Sequence, residues 1–407
     1  MINVAVLGHG VVGSGVVELL ESHKEHIAKK VKRKIEVKHI LDLRDFPGLP
    51  YSDKFTKDFD KILNDDSVRV VAEVMGGVHP AFDFVKACLE KGKSVVTSNK
   101  ELVAAKGAEL LKIAADNNVN FLFEASVGGG IPILRPIAQC LAANDLYEIV
   151  GILNGTTNFI LTKMDREDME FKDALSLAQQ LGYAERDPSA DIDGHDSCRK
   201  ICILASLAFG RHVYPEQVAT EGIRNVTLAD KEYAAAYGGA VKLIGRARLL
   251  EDGKITAAVY PAIINFKNQL SRVDDVFNAI TVRGDAIGDV MFYGRGAGKM
   301  PTASAVVADI IDCVKHLTAR KYLFWEDGDP DYVADESVNN AKFFVCLENW
   351  DGLFEKIEKA FGKVRFIKRN GGLSELAFIT PKGNEGQLNE KIAGLGARVI
   401  SKLHILD

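Results

Sequence analysis

The chain has 407 residues, 47% apolar and 26% charged, with a formal net charge of −5. That length exceeds one ordinary core and predicts two or three domains of a globular protein. Acidic charge argues against nucleic acid or a membrane surface as partner, no apolar run approaches ~20 residues, and Met1 to Leu7 carries no basic leader, so a cytoplasmic protein is expected.

The first part of the chain alternates β-rich runs with helical patterns. Strands are predicted at 2–8, 35–43, 68–76, 94–99 and 119–128, and helices at 11–31, 79–92 and 102–118. This βαβα order argues an α/β fold: a Rossmann-like, doubly wound, dinucleotide-binding domain over residues 1–130. A helix at 129–144 and a strand at 145–156 follow, then helices at 159–167 and 173–182. Strands at 255–264, 270–283 and 286–293 precede a helix at 302–317. Residues 131–325 therefore read as an α+β substrate-binding and dimerisation domain, with the segment near 300–320 returning to the first domain. An open sheet commonly buries one face against a twin subunit, so a homodimer or homotetramer is expected. The polar, acidic stretch 325–340 reads as a linker. Residues 341–407 give strand, helix, strand, strand, helix, strand, the βαββαβ order of a ferredoxin-like unit.

The six cysteines, Cys88, Cys140, Cys198, Cys202, Cys313 and Cys346, complete no zinc spacing and read as small hydrophobes in a reducing compartment.

GHGVVG places Gly8, Gly10 and Gly13 between a strand and a helix, with Val11 and Val12 inside the same turn. Gly8 permits the tight turn, Gly10 lets backbone approach a pyrophosphate, and Gly13 lets helix and sheet pack closely. A bound dinucleotide follows. At the end of the second strand, Asp42 suits the ribose 2′-hydroxyl of NAD and Arg44 the 2′-phosphate of NADP, so both cofactors stay open.

In such sheets ligands sit at the carboxyl ends of strands. VVTSNKEL puts Thr97 and Lys100 at one such end, and FEASVGGGIP puts Glu124 and three glycines at the next. A carboxylate followed by flexible carbonyls suits a monovalent cation, because hard cations take oxygen ligands. LNGTTNF crowds Asn154, Thr156, Thr157 and Asn158 at a strand-to-helix turn. Thr157 or Asn158 is expected to cap the helix, and the cluster exceeds what one cap requires.

DIDGHDSCRKICILASLAFG opens an almost wholly apolar helix on Asp196 and Lys200, four apart and so on one face. Burial would push that amine's pKa down and a neighbouring Asp196 or Glu185 would push it up, leaving a lysine able to exchange a proton near neutral pH.

GHGVVGSG, TSNKEL, FEASVGGGIPI, ILNGTTNFIL, GYAERDPSADIDGHDSCRKI and YGRGAGKMPTASAVV, in that order, make the chain resemble the homoserine dehydrogenases. The resemblance implies reversible, NAD(P)-dependent reduction of L-aspartate 4-semialdehyde to L-homoserine, in the branch leading to threonine and methionine. It implies an acid/base role for Lys200, a second active-site lysine in Lys100, and a grip on the substrate ammonium by Glu185 and Asp196. Gly182 matches a cofactor contact, and Gly298, Pro301 and Thr302 a late loop beside cofactor and substrate. Glu124, Val127, Gly129 and Ile131 match ligands of Na⁺ or K⁺, mostly through backbone oxygens. The C-terminal unit resembles an ACT domain, which can take threonine as effector, although ENWDGL has Asp351 where such domains usually carry proline. Another amino-acid or 2-hydroxy-acid dehydrogenase on the same fold, or a non-catalytic NAD-binding sensor, are the competing readings.

Overall fold

The Val68–Glu73 strand is buried along almost its whole length, as a strand covered on both faces must be. In the computed structural model, which describes residues 1–319, 323–372 and 374–407, it lies inside a parallel sheet. The order across that sheet is Phe55–Thr56, Ile35–Leu41, Ile2–Leu7, Val68–Glu73, Ser94–Thr97, Phe121–Leu122. Every pairing in it is parallel. It belongs to the first of two compact units, residues 1–146, 202–215 and 283–329.

Helix Lys299–Lys315 returns to this unit and lays Ala303, Val306, Val307 and Ile310 against Val16, Val17 and Leu20. The predicted helix at 11–31 is two, Val11–Ser22 and Lys24–Val31. The predicted helix at 129–144 shrinks to five π-helical residues, Pro136–Cys140. Gly129 and Gly130 lower the helix propensity there, and Pro132 and Pro136 each remove a ladder donor that a long helix needs. The supposed linker is not a loose tether. Trp325 is 1% exposed, packs edge-on to Phe123 at 5.4 Å, and donates its indole N–H to His212 Nδ1 at 2.8 Å.

The second unit comprises residues 147–201, 216–282 and 330–407. Its sheet runs Phe277–Gly284, Leu146–Ile152, Gly239–Leu249, Ile255–Asn265, Val399–Leu406, Phe343–Glu348, Glu375–Ile379, Arg365–Ile367. Gly239–Leu249 and Ile255–Asn265 pair antiparallel along their full length. The predicted strand 270–283 begins only at Phe277, after a 3₁₀ turn at Gln269–Arg272. There the carbonyl of Val273 accepts from Lys242 and Asn158.

The described residues of 343–406 contain five strands and two helices, in the expected sequence order but for the additional two-residue strand Gly383–Asn384. Val399–Leu406 pairs in parallel with Ile255–Asn265, so the other four strands extend the sheet. Trp350, in the turn after the first of them, is 44% exposed. No helix among the described residues is long and apolar enough to cross a membrane.

Candidate active site

The first unit supplies the nucleotide turn. Gly8 has φ +97°, the left-handed region, and its N–H donates to Leu41 O at 2.8 Å. A Cβ at Gly13 would lie 2.0 Å from the carbonyl oxygen of Gly8, so only hydrogen fits. At Gly10, the residue before helix Val11–Ser22, nothing lies within 4 Å of where a Cβ would stand. No side chain caps that helix, and Val11 beside it is 68% exposed while Val12 is half-buried. Uncapped N–H groups, the positive helix end and open backbone fit a pyrophosphate.

Asp42 and Arg44, weighed as competing readers, form one clamp. Asp42 Oδ2 accepts from His9 N at 2.8 Å and from Arg44 Nη2 at 3.0 Å. Its Oδ1 accepts from Arg44 N at 2.9 Å and Nε at 3.0 Å. Arg44 also donates to His9 O at 3.1 Å. The arginine's hydrogen bonds hold the Asp42 carboxyl well below the usual carboxylate range. His9 was not singled out in the sequence. It is buried among Phe46, Tyr51 and Phe55, with ring centroids 4.7, 5.8 and 5.0 Å away, and burial lowers its imidazole pKa.

At the next strand ends, the Thr97 hydroxyl donates to Glu73 at 2.5 Å and accepts from Asn99 N at 2.9 Å, so it is engaged within the protein. Lys100, half-buried, is the first residue of helix Lys100–Asp116, which Asn99 caps.

The Glu124 carboxylate is engaged by backbone N–H groups. Oε1 accepts from the N–H groups of Ile133 and Leu134 at 2.6 and 2.9 Å, and Oε2 from that of Arg135 at 2.8 Å. The carboxylate is the anchor of the turn after the three glycines. Among the described residues no group of three His, Cys, Asp or Glu is placed to hold a metal ion. Asp309 accepts from Glu124 N at 2.9 Å and from Arg135 at 2.5 Å. Burial first, and Glu124 beside it, push the Asp309 carboxyl up to about 7.

The glycine loop packs on the late loop. A Cβ at Gly130 would lie 2.8 Å from Pro301 Cβ, and Gly130 N donates to Arg295 O at 3.2 Å. Gly298 has φ +124° and precedes helix Lys299–Lys315, in whose first turn Thr302 N donates to Gly298 O at 3.1 Å.

The second unit holds the other residues. Asn154, not Thr157 or Asn158, caps helix Gly155–Glu167: its Oδ1 accepts from Thr157 N at 2.8 Å and from Thr157 Oγ1 at 3.0 Å. Thr156 Oγ1 donates to Tyr183 O at 2.7 Å and so pins the loop that follows helix Phe171–Gln180. Gly182, at φ +75° and exposed, opens that loop. Glu185 is exposed on it, its carbonyl accepting from Gln179 at 3.0 Å.

Lys200 and Asp196 are buried in the first turns of helix His195–Phe209, 7% and 4% exposed. Lys200 Nζ donates to Asp196 Oδ2 at 2.6 Å and to Leu153 O at 2.8 Å. Asn154 Nδ2 donates to Asp196 Oδ2 at 2.8 Å and to Asp191 Oδ1 at 2.7 Å. A buried ammonium, two carboxylates and an amide are thus joined, a set able to hold a proton and a cationic group. Asp191 was missed in the sequence, where nothing separated it from the neighbouring Asp187 and Asp193.

Residues 132–311 match the family model described as homoserine dehydrogenase, and residues 8–124 that of the homoserine dehydrogenase NAD-binding domain. The homoserine dehydrogenase of Synechocystis sp. is 44% identical over 78% of this chain and 74% of its own. That of Lactococcus lactis is 39% identical over 95% of this chain and 94% of its own. Among solved structures, a homoserine dehydrogenase from Thiobacillus denitrificans superposes with TM-score 0.91 at 33% identity, covering 100% of this chain and 98% of that one. A hyperthermophilic archaeal homoserine dehydrogenase mutant in complex with NADPH gives TM-score 0.65 at 30% identity, covering 77% of this chain and 97% of that one.

Proposed function

The chain belongs to the homoserine dehydrogenase family, and from that premise we propose that it interconverts L-aspartate 4-semialdehyde and L-homoserine in threonine and methionine biosynthesis. The observation that carries the mechanism is the buried Lys200–Asp196 pair tied through Asn154 to Asp191.

The nicotinamide cofactor, NADP or NAD, supplies or takes up hydride when bound. The backbone of Gly8, Gly10, Val11, Val12 and Gly13 holds its pyrophosphate, with Gly182, Gly298, Pro301 and Thr302 as further contacts. Asp42 and Arg44 meet the adenosine ribose. Lys200 gives a proton to the carbonyl oxygen in reduction and takes it back in oxidation. Asp196 aims the amine, and Asn154 fixes Asp196. Lys100 is assigned as a second active-site lysine, a cation suited to an electrostatic task. Glu185 and Asp196 take the substrate ammonium, with Thr156 and Thr157 shaping the turn beside Asn154.

The carbonyls of Glu124, Val127, Gly129 and Ile131 are the donors we assign to Na⁺ or K⁺. The segment 341–407 is assigned an ACT-like regulatory role with threonine as effector, and the protein is taken as a cytoplasmic homodimer or homotetramer. Homoserine oxidation by the purified protein, with NAD⁺ and NADP⁺ and with and without threonine, tests these assignments. Turnover of homoserine is expected. Oxidation of malate or aspartate without homoserine would overturn the substrate.

A further inference from the structure

Glu73 has no part in the mechanism above, yet it is a carboxylate with no exposed surface. It ends the Val68–Glu73 strand, between Leu7 of the strand before the glycine turn and Thr97 of the strand before Lys100. Oε1 accepts from Met75 N at 2.7 Å and Gly76 N at 3.4 Å. Oε2 accepts the Thr97 hydroxyl proton at 2.5 Å. Thr97 Oγ1 in turn accepts from Asn99 N at 2.9 Å, and Asn99 Nδ2 donates to Gly77 O at 2.6 Å. The bonds close a ring: Glu73, Thr97, Asn99, Gly77 and back along the backbone through Gly76 and Met75.

Two sides of that ring carry candidate machinery. Met75 backs the nucleotide turn so closely that a Cβ at Gly8 would stand 3.2 Å from its Cα. Asn99 caps the helix that Lys100 opens. We infer that Glu73 is a positioning residue, a buried acceptor that fixes the backing of the Gly8 turn and the start of the Lys100 helix in one register. The inference rests on the dehydrogenase reading, because it gives that register a use.

A structural carboxylate would be easier to keep in water, since burial pushes the Glu73 carboxyl up from its ordinary range. What a carboxylate offers here is acceptor-only chemistry. With Glu73 ionised, the Thr97 hydroxyl can accept from Asn99 N and give its own proton to Oε2 at once. A glutamine that kept its oxygen on Met75 N would turn its NH₂ towards that proton. The Thr97 hydroxyl would then have to turn its proton away and accept from that NH₂ instead, which reverses the link.

The experiment compares wild type, Glu73→Gln, Thr97→Val and the double variant in homoserine oxidation, with kcat, both KM values and the melting temperature measured on the same preparations. Failure of the wild type to oxidise homoserine would sink the family reading and leave Glu73 untouched. With an active wild type, Glu73→Gln is expected to lower kcat by ~10- to 100-fold, the scale of a misplaced reacting group, and to raise cofactor KM with homoserine KM little changed. The double variant should be no worse than the worse single one, because both cut the same link. Thr97→Val gives the same readout if Glu73→Gln does not fold. Folded variants with wild-type kcat and cofactor KM, or losses that only track the unfolded fraction, would overturn the inference.

Discussion

Around Lys200 and around Lys242, the second unit builds two nests from the same parts: a buried amine, a carboxylate and a backbone carbonyl. Lys242, 2% exposed, donates to Val273 O at 2.6 Å, Asp274 Oδ1 at 3.1 Å and Asn158 Oδ1 at 3.2 Å. Three acceptors use all three of its N–H groups. Asn158 then donates to Val273 O, Asp275 O and Phe277 O, so the whole assembly staples one loop to one helix. Lys200 has two acceptors among the described residues, Asp196 and Leu153 O, which leaves one N–H for a ligand. Its network leads through Asn154 to Asp191 and the loop bearing the exposed Glu185. Burial and a counter-charge therefore do not mark a catalytic lysine. On the proposed assignment, an unfilled donor leading towards an open loop is what separates the two.

The largest effect expected is at Lys200. Lys200→Met should lower kcat of the folded protein by ~100-fold or more, the usual scale for a lost acid/base group, on top of the stability lost by taking the lysine donor from the buried Asp196 carboxylate and Leu153 O. Near-normal turnover in that variant would erase the distinction between the nests. Lys242→Met should do the reverse, costing ~1–3 kcal/mol in denaturant unfolding by leaving carbonyls and Asp274 without their donor, with kcat of the folded protein unchanged. A catalytic loss there at full stability would break the comparison from the other side.

A third cation–carboxylate pair, Arg44–Asp42, extends the test to the first unit, since its cation is mostly exposed and its carboxylate is not. Arg44→Ala should lower the NADP/NAD ratio of kcat/KM by about tenfold, the worth of one charge-assisted hydrogen bond to phosphate. Steady-state rates with both cofactors check it, and an unchanged ratio would make Arg44 only the anchor of Asp42.

The smallest effect is in pH. Burial lowers the Lys242 pKa from its ordinary 10.5. The folded protein then gives up that proton at a lower pH than the unfolded chain, so the unfolded state binds more protons in the window just below 10.5. Stability should gain from this group as pH rises through that window, and the gain should vanish in Lys242→Met. Unfolding curves at several alkaline pH values would show it. A slope that persists in the variant would assign it elsewhere.

The sequence makes some of this plain. GHGVVG gives away the nucleotide turn because glycine spacing is a statement about backbone, and Gly13 leaves no room for any other residue. Asp196 and Lys200 are visible as a charged pair four apart on a greasy helix. Lys242 and Glu73 are hidden, because their partners are backbone groups or residues far along the chain, with no period to mark them. The apolar residues of 129–144 suggest a long helix, but two glycines and two prolines leave only the short π-helical turn at Pro136–Cys140. The stretch 325–340, within which the chain passes from one unit to the other, buries Trp325 and Tyr332 despite its net polarity, which composition alone does not reveal.

The Trp325 indole has an optical consequence. The chain has two tryptophans, and each unit holds one of them: Trp325 in a dry site, hydrogen-bonded to His212, and Trp350 facing solvent. Indole emits further to the blue in a dry setting and further to the red in water, and a dissolved quencher reaches only the second. The unmodified protein therefore carries two separable lamps, one beside the nucleotide fold and one on the segment assigned to threonine. Titrating each ligand while watching both colours would report which half of the molecule responds.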